Sequence, residues 1–157
     1  MRMPGYSLLT TTALAVVVLV TPGCALVKSQ QFGVSRSGSD VLVWFVDCYA
    51  PPITVTLEPS DVDPINGHPL WGIAQPNSAK RAPFPNGTRV GDLPPGYTLT
   101  QALDSPLSPT ATYRLGFGSG EAYYESLDFK PSALTGDVLT FDGQVMTSER
   151  FTQQSCR

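Results

Sequence analysis

The sequence predicts an all-β domain, an antiparallel β-sandwich with an immunoglobulin-like arrangement as the expected form. Three observations point there. Several short runs alternate apolar and polar residues, as a half-buried strand requires. Turn residues separate these runs, drawn from 14 glycines and 15 prolines in 157 residues. After residue 23, no long stretch carries the period of an amphipathic helix. Seven or eight short strands divided by turn chemistry suit a sandwich or a small barrel.

The elements follow in order. Residues 41–46 (VLVWFV) are apolar on both faces and read as a central strand covered on both sides. Pro51 and Pro52 interrupt the chain before residues 53–57, where Ile53, Val55 and Leu57 face inward and Thr54 and Thr56 outward. Residues 70–74 form a short strand, and residues 97–100 alternate again. Tyr113, Leu115 and Phe117 share one face, with Arg114 opposite. Gly118, Ser119 and Gly120 then turn the chain, and residues 122–129 return with Tyr123, Leu127 and Phe129 on one face. Residues 113–129 are therefore expected to be a hairpin. Residues 137–141 are the last clear strand; Asp142-Gly143 signals a tight turn, after which residues 144–147 pair back. Ser148 is expected to cap one helical turn. Residues 75–96 (AQPNSAKRAPFPNGTRVGDLPP) read as a long structureless loop, and such loops in compact domains usually serve function. Lys80, Arg81, Phe84 and Arg89 are its candidate contact residues.

The first residues address the compartment. Arg2 gives a positive start, and residues 8–20 (LLTTTALAVVVLV) form an uncharged apolar run. A helix of that length spans about 20 Å, against about 30 Å for a bilayer core. The segment therefore reads as a signal peptide over residues 1–23. Gly23-Cys24 directly after the run resembles the lipobox of bacterial lipoproteins. Gly23 matches the small residue before the cut and Cys24 the acylated residue, while Thr21 and Pro22 depart from the usual pattern. The resemblance implies acylation of the Cys24 sulfur and a lipid anchor on the extracytoplasmic face of the membrane. Pro94-Pro95-Gly96 before Tyr97, with Phe151 and Cys156 near the end, also resembles small uncharacterised lipoproteins of actinobacteria; no activity follows from that. Plain secretion is the alternative, because Gly23 and Ala25 form a small-x-small cleavage site that would discard Cys24. Residues 24–38 are expected to be a flexible tether and residues 39–157 the sandwich domain.

Cys48 and Cys156 remain under either reading. Two cysteines in an exported domain usually pair. Such a bond would close a loop of just over 100 residues and return the C-terminus to the end of the 41–46 strand, with Phe151 packing nearby.

Composition argues against several activities. Charged residues make up 15% of the chain, the net charge is −3, and the largest basic cluster is Lys80-Arg81. Nucleic-acid binding needs a positive footprint, so none is expected. Cofactors and metals are not expected either. Asp61, Asp63 and Asn66-Gly67 offer oxygen ligands, but Gly72 stands where a calcium loop needs its Glu, and these residues are equally ordinary turn formers. The single histidine, His68, would have to be the base of any serine triad, yet no serine occupies a nucleophile elbow. Glu121 and Glu125 share a strand face and are the other candidate acid–base pair. Trp71, Phe84 and Tyr97, around the long loop, read as core more readily than as a binding patch. The expected function is a non-enzymatic binding or structural module on a membrane-anchored lipoprotein. A secreted or anchored hydrolase using His68 or the Glu121/Glu125 pair is the alternative.

Overall fold

The computed structural model describes residues 31–46, 51–62, 68–76, 80–118 and 124–154. They form two five-stranded antiparallel sheets, so the predicted β-sandwich is the fold. In chain order the strands are β1 (Gln31–Ser37), β2 (Asp40–Val46), β3 (Thr54–Pro59), β4 (Trp71–Ala74), β5 (Thr88–Arg89), β6 (Thr98–Gln101), β7 (Tyr113–Gly118), β8 (Tyr124–Phe129), β9 (Val138–Thr140) and β10 (Val145–Met146). One short helix, α1 (Ser148–Thr152), follows.

The first sheet has the order β10-β9-β1-β2-β5 and the second β6-β4-β3-β7-β8. Within them, β1-β2-β5 and β8-β7-β3-β4 reproduce the strand order A-B-E and G-F-C-C′ of an immunoglobulin-type sandwich. β6 is added beyond β4, and β9 and β10 beyond β1.

Period-two burial builds the core. Val41, Val43 and Phe45 of β2, Val55 and Leu57 of β3, and Tyr113, Leu115 and Phe117 of β7 all turn inward and are buried. Phe117 joins the sheets: its ring centroid lies 4.4 Å from Phe32 of β1 and 5.8 Å from Phe45 of β2. The same contacts set the poles. Phe117 sits at the end of β7 that lies beside Thr54 and Val55. That pole therefore also holds Gln31 and Val46, which pair with each other. Ser37, Pro59, Tyr113 and Phe129 stand at the opposite pole. Hydrogen bonds there confirm the alignment, since Arg36 donates to the carbonyls of Thr135 and Pro131 at 2.7 and 3.4 Å.

The outer apolar face of β2 is covered, as a central strand needs. Trp44 and Val46 pack on a second cluster of Val138, Met146 and Phe151. Phe151, fully buried, meets Trp44 edge-on at 6.3 Å. Trp44 also donates its indole N–H to Ser35 at 2.8 Å.

Three expectations are corrected. Residues 31–37 are not tether but β1, so the domain starts by Gln31. The described part of residues 75–96 is not structureless, because it contains β5 and is fixed by side-chain bonds described below. The helix cap is Thr147, whose hydroxyl accepts from the Arg150 amide, and not Ser148.

Candidate functional site

The candidate site is a cleft at the pole opposite Gln31. It consists of two adjoining cavities, of about 330 and 630 Å³, that share Leu70, Ser105, Pro106 and Tyr113. Two stretches build the walls. One supplies Ser60 and Asp61 just after β3 and His68, Pro69 and Leu70 just before β4. The other, residues 102–112, connects β6 to β7.

The second stretch has no ladder of its own and is pinned at three points. The Ser108 amide donates to the Tyr113 hydroxyl at 2.8 Å. The carbonyls of Pro109 and Thr112 accept from the amides of Ser132 and Ser60 at 2.9 and 3.0 Å. These bonds satisfy backbone groups that an irregular segment would otherwise leave to water. Leu70, Leu103 and Leu107 are half-buried and line the first cavity, with His68, Asp104 and Tyr113 around them. Asp61 and Ser108 line the second. Tyr113 is only 6% exposed, lines both cavities, and its hydroxyl already accepts one bond. Among the described residues its own O–H hydrogen has no acceptor. The only ionic side chains among the described lining residues are Asp61 and Asp104, with His68 as the remaining titratable base.

His68 is exposed and has no hydrogen-bond partner among the described residues. It shares the cleft with Asp104 and Ser105, but no bond orders them into a relay. No group of three His, Cys, Asp or Glu side chains that could hold a metal occurs among the described residues. Asp61 is described and exposed; Asp63, Asn66 and Gly67 lie outside the described residues.

The predicted contact residues behave differently from one another. Phe84 is 6% exposed and packs against Tyr97, Phe45 and Phe117, so its ring belongs to the core and is closed to a partner. Trp71 and Tyr97 are buried with it, as the core reading expected. Arg81 donates to the Pro51 carbonyl at 3.2 Å. Arg89 is held between Asp92 at 2.8 Å and Asp40 at 3.8 Å. Lys80 is exposed. The buried amide of Gln75 ties the segment down: Nε2 donates to the Pro52 carbonyl and the Tyr97 hydroxyl, while Oε1 accepts from the Ala82 amide at 2.8 Å. Asn86 accepts from the Phe45 amide at 2.7 Å.

Two carboxylates are unusual. Glu58, on the outer face of β3, is 6% exposed, and its Oε2 has no hydrogen-bond partner. Burial pushes its pKa up, and the neighbouring Arg114 pulls it partly back. Arg114 meanwhile grips Asp128 through two bonds of 2.8 and 3.1 Å. Glu125 keeps step with Leu127 and Phe129 and so turns inward; burial raises its pKa too, and its Oε2 is also unpartnered. Its proposed companion Glu121 lies outside the described residues, as do Cys24, Cys48 and Cys156.

No family model matches the chain, and no curated protein or solved structure matches it either. The cleft residues Leu103, Asp104 and Leu107 were missed in the sequence. Their only signal is two leucines in a segment otherwise rich in Ser, Pro and Thr.

Proposed function

We propose that this chain is an exported lipoprotein, held to the extracytoplasmic face of a membrane through Cys24, whose β-sandwich is a non-enzymatic binding module. The observation that carries the reading is Gly23-Cys24 after the apolar run, placed only six residues before a complete sandwich begins at Gln31. Seven residues of chain reach at most about 25 Å. The Gln31 pole would thus stay close to the membrane, and the cleft at the far pole would face away from it. Several acyl chains at about 0.8 kcal/mol per buried CH₂ make such an anchor effectively permanent.

The test is fractionation with acyl labelling. Wild type should enter the membrane fraction and incorporate labelled fatty acid. Cys24→Ser should lose the label and either leave the membrane or accumulate as uncleaved precursor. A wild-type protein found free in the medium and starting at Leu26 would refute the anchor.

The two remaining cysteines belong to the same proposal. Val46, two residues before Cys48, packs on the cluster around Phe151. Gln154, two residues before Cys156, donates to Met146 Sδ of that cluster at 2.7 Å. Both described ends converge on one patch, which supports a Cys48–Cys156 disulfide.

A further inference from the structure

We infer that the far-pole cleft binds the free amino terminus of a peptide whose first side chain is apolar; this rests on the binding-module reading and names its ligand. Three features match three parts of that group. Asp61 and Asp104 supply negative charge with no Lys or Arg among the described lining residues, which suits an α-ammonium. Tyr113, more than nine-tenths buried and lining both cavities, has an O–H hydrogen without an acceptor among the described residues, which suits the first carbonyl oxygen. Leu70, Leu103 and Leu107 give a half-buried apolar wall for the side chain. The first cavity, about 330 Å³, lies at the low end of small-ligand sites, so it takes an end group and not a folded surface. Arg114 reaches the Ser60 carbonyl at 3.4 Å but is paired to Asp128, and so does not reverse the sign of the cleft.

The experiment follows leucine methyl NMR signals of the full chain in a nonionic detergent while leucinamide or N-acetylleucinamide is added. The two probes share carbonyl and side chain and differ in the ammonium. Leucinamide should shift the Leu103 and Leu107 methyls saturably, with affinity of about 1–10 mM for so small a ligand. N-acetylleucinamide should bind about fivefold more weakly, the worth of an exposed charge pair. Asp61→Asn with Asp104→Asn should abolish that preference, whereas Asp92→Asn, on an exposed acid outside the cleft, should leave it intact. Tyr113→Phe should weaken both probes alike; the acid variants sit on exposed positions and keep the test sound if that change loosens residues 102–112. Equal binding of the two probes, shifts confined to other leucines, or no saturation by about 50 mM would overturn the inference. Failure here leaves the anchor standing, because fractionation of Cys24→Ser reads it independently.

Discussion

Glu58 illustrates what a single residue can reveal that alternation cannot. Its position in β3 marks it as outward, and outward strand residues are ordinarily solvated. Here the residue is nearly covered, one carboxylate oxygen has no partner, and burial raises the pKa despite Arg114. A carboxyl whose folded pKa exceeds its unfolded value binds its proton more tightly in the folded state. The contribution of Glu58 to stability is therefore greatest below the ordinary value of 4.5 and declines as pH rises from there through the raised folded value. Glu125 acts in the same direction. Glu58→Gln should remove this penalty, so the variant should gain stability over wild type at pH 7 and lose that gain near pH 4. Urea denaturation at the two pH values measures it. An equal difference at both would mean that protonation is not the cause. Arg114 retains Asp128 in the variant, so no second charge is stranded.

At the scale of elements, β2 and the C-terminal segment depend on each other. A strand apolar on both faces requires two layers of cover, and α1 provides the outer one, its Phe151 packing with Val138 and Met146 on the outer face of the sheet that holds β2. A five-residue helix has too few internal hydrogen bonds to persist alone. Phe151, fully buried against Trp44, is what holds it. Phe151→Ala should destabilise the domain by about 3 kcal/mol through lost burial and the cavity left behind. Trp44 fluorescence should shift to the red as water reaches the ring. Val145→Ala, at a residue 62% exposed, should change little and serves as the control. Undiminished stability of Phe151→Ala would show that the helix does not hold the cover in place.

The legible elements were β2, apolar on both faces, and the runs with alternation or turn signals: β3, β4, β6, β7, β8 and the β9–β10 hairpin at Asp142-Gly143. β1 was not legible, because its inward face carries only two apolar residues, Phe32 and Val34, before Arg36 takes the next position on that face. The structure explains Gly33 between them: a Cβ there would come within 2.6 Å of the Leu139 carbonyl oxygen, so β9 can pair only against a bare backbone. β5 spans two residues and carries no period at all. Residues 75–96 looked structureless because Gln75, Asn86 and Tyr97 side chains, and not a strand ladder, satisfy backbone groups around the described part of the segment. The cleft was illegible for a related reason. Its walls come from two loops distant in sequence, and only the paired ends of β3 and β7 bring Ser60 beside Thr112.

For the whole molecule, the decisive feature is where the first and last described residues lie. The described chain enters at the Gln31 pole, and α1 returns to the outer face of β2, whose last residue Val46 pairs with Gln31. A Cys48–Cys156 bond would therefore fasten the tail against the outer face of β2 and leave the far-pole cleft unobstructed. Closing a loop of about 100 residues removes denatured-state freedom worth roughly 4–5 kcal/mol in the chain-entropy model. Bridging also demands Cα atoms no more than about 7 Å apart, which the convergence of Val46 and Gln154 on one cluster favours. Thiol labelling of the protein without reductant tests the bond directly. Neither Cys48 nor Cys156 should react after full denaturation, and both should react once reductant is added. Cys156→Ser should lower the urea midpoint while leaving leucinamide binding unchanged, since Val46 and Gln154, the described residues nearest the two cysteines, pack away from the residues that line the cleft. Full reaction of both thiols in the unreduced, unfolded protein would show that no bond existed. The tail would then be held by the packing of Phe151 and the Gln154–Met146 contact, and Cys156→Ser would leave the midpoint where it was.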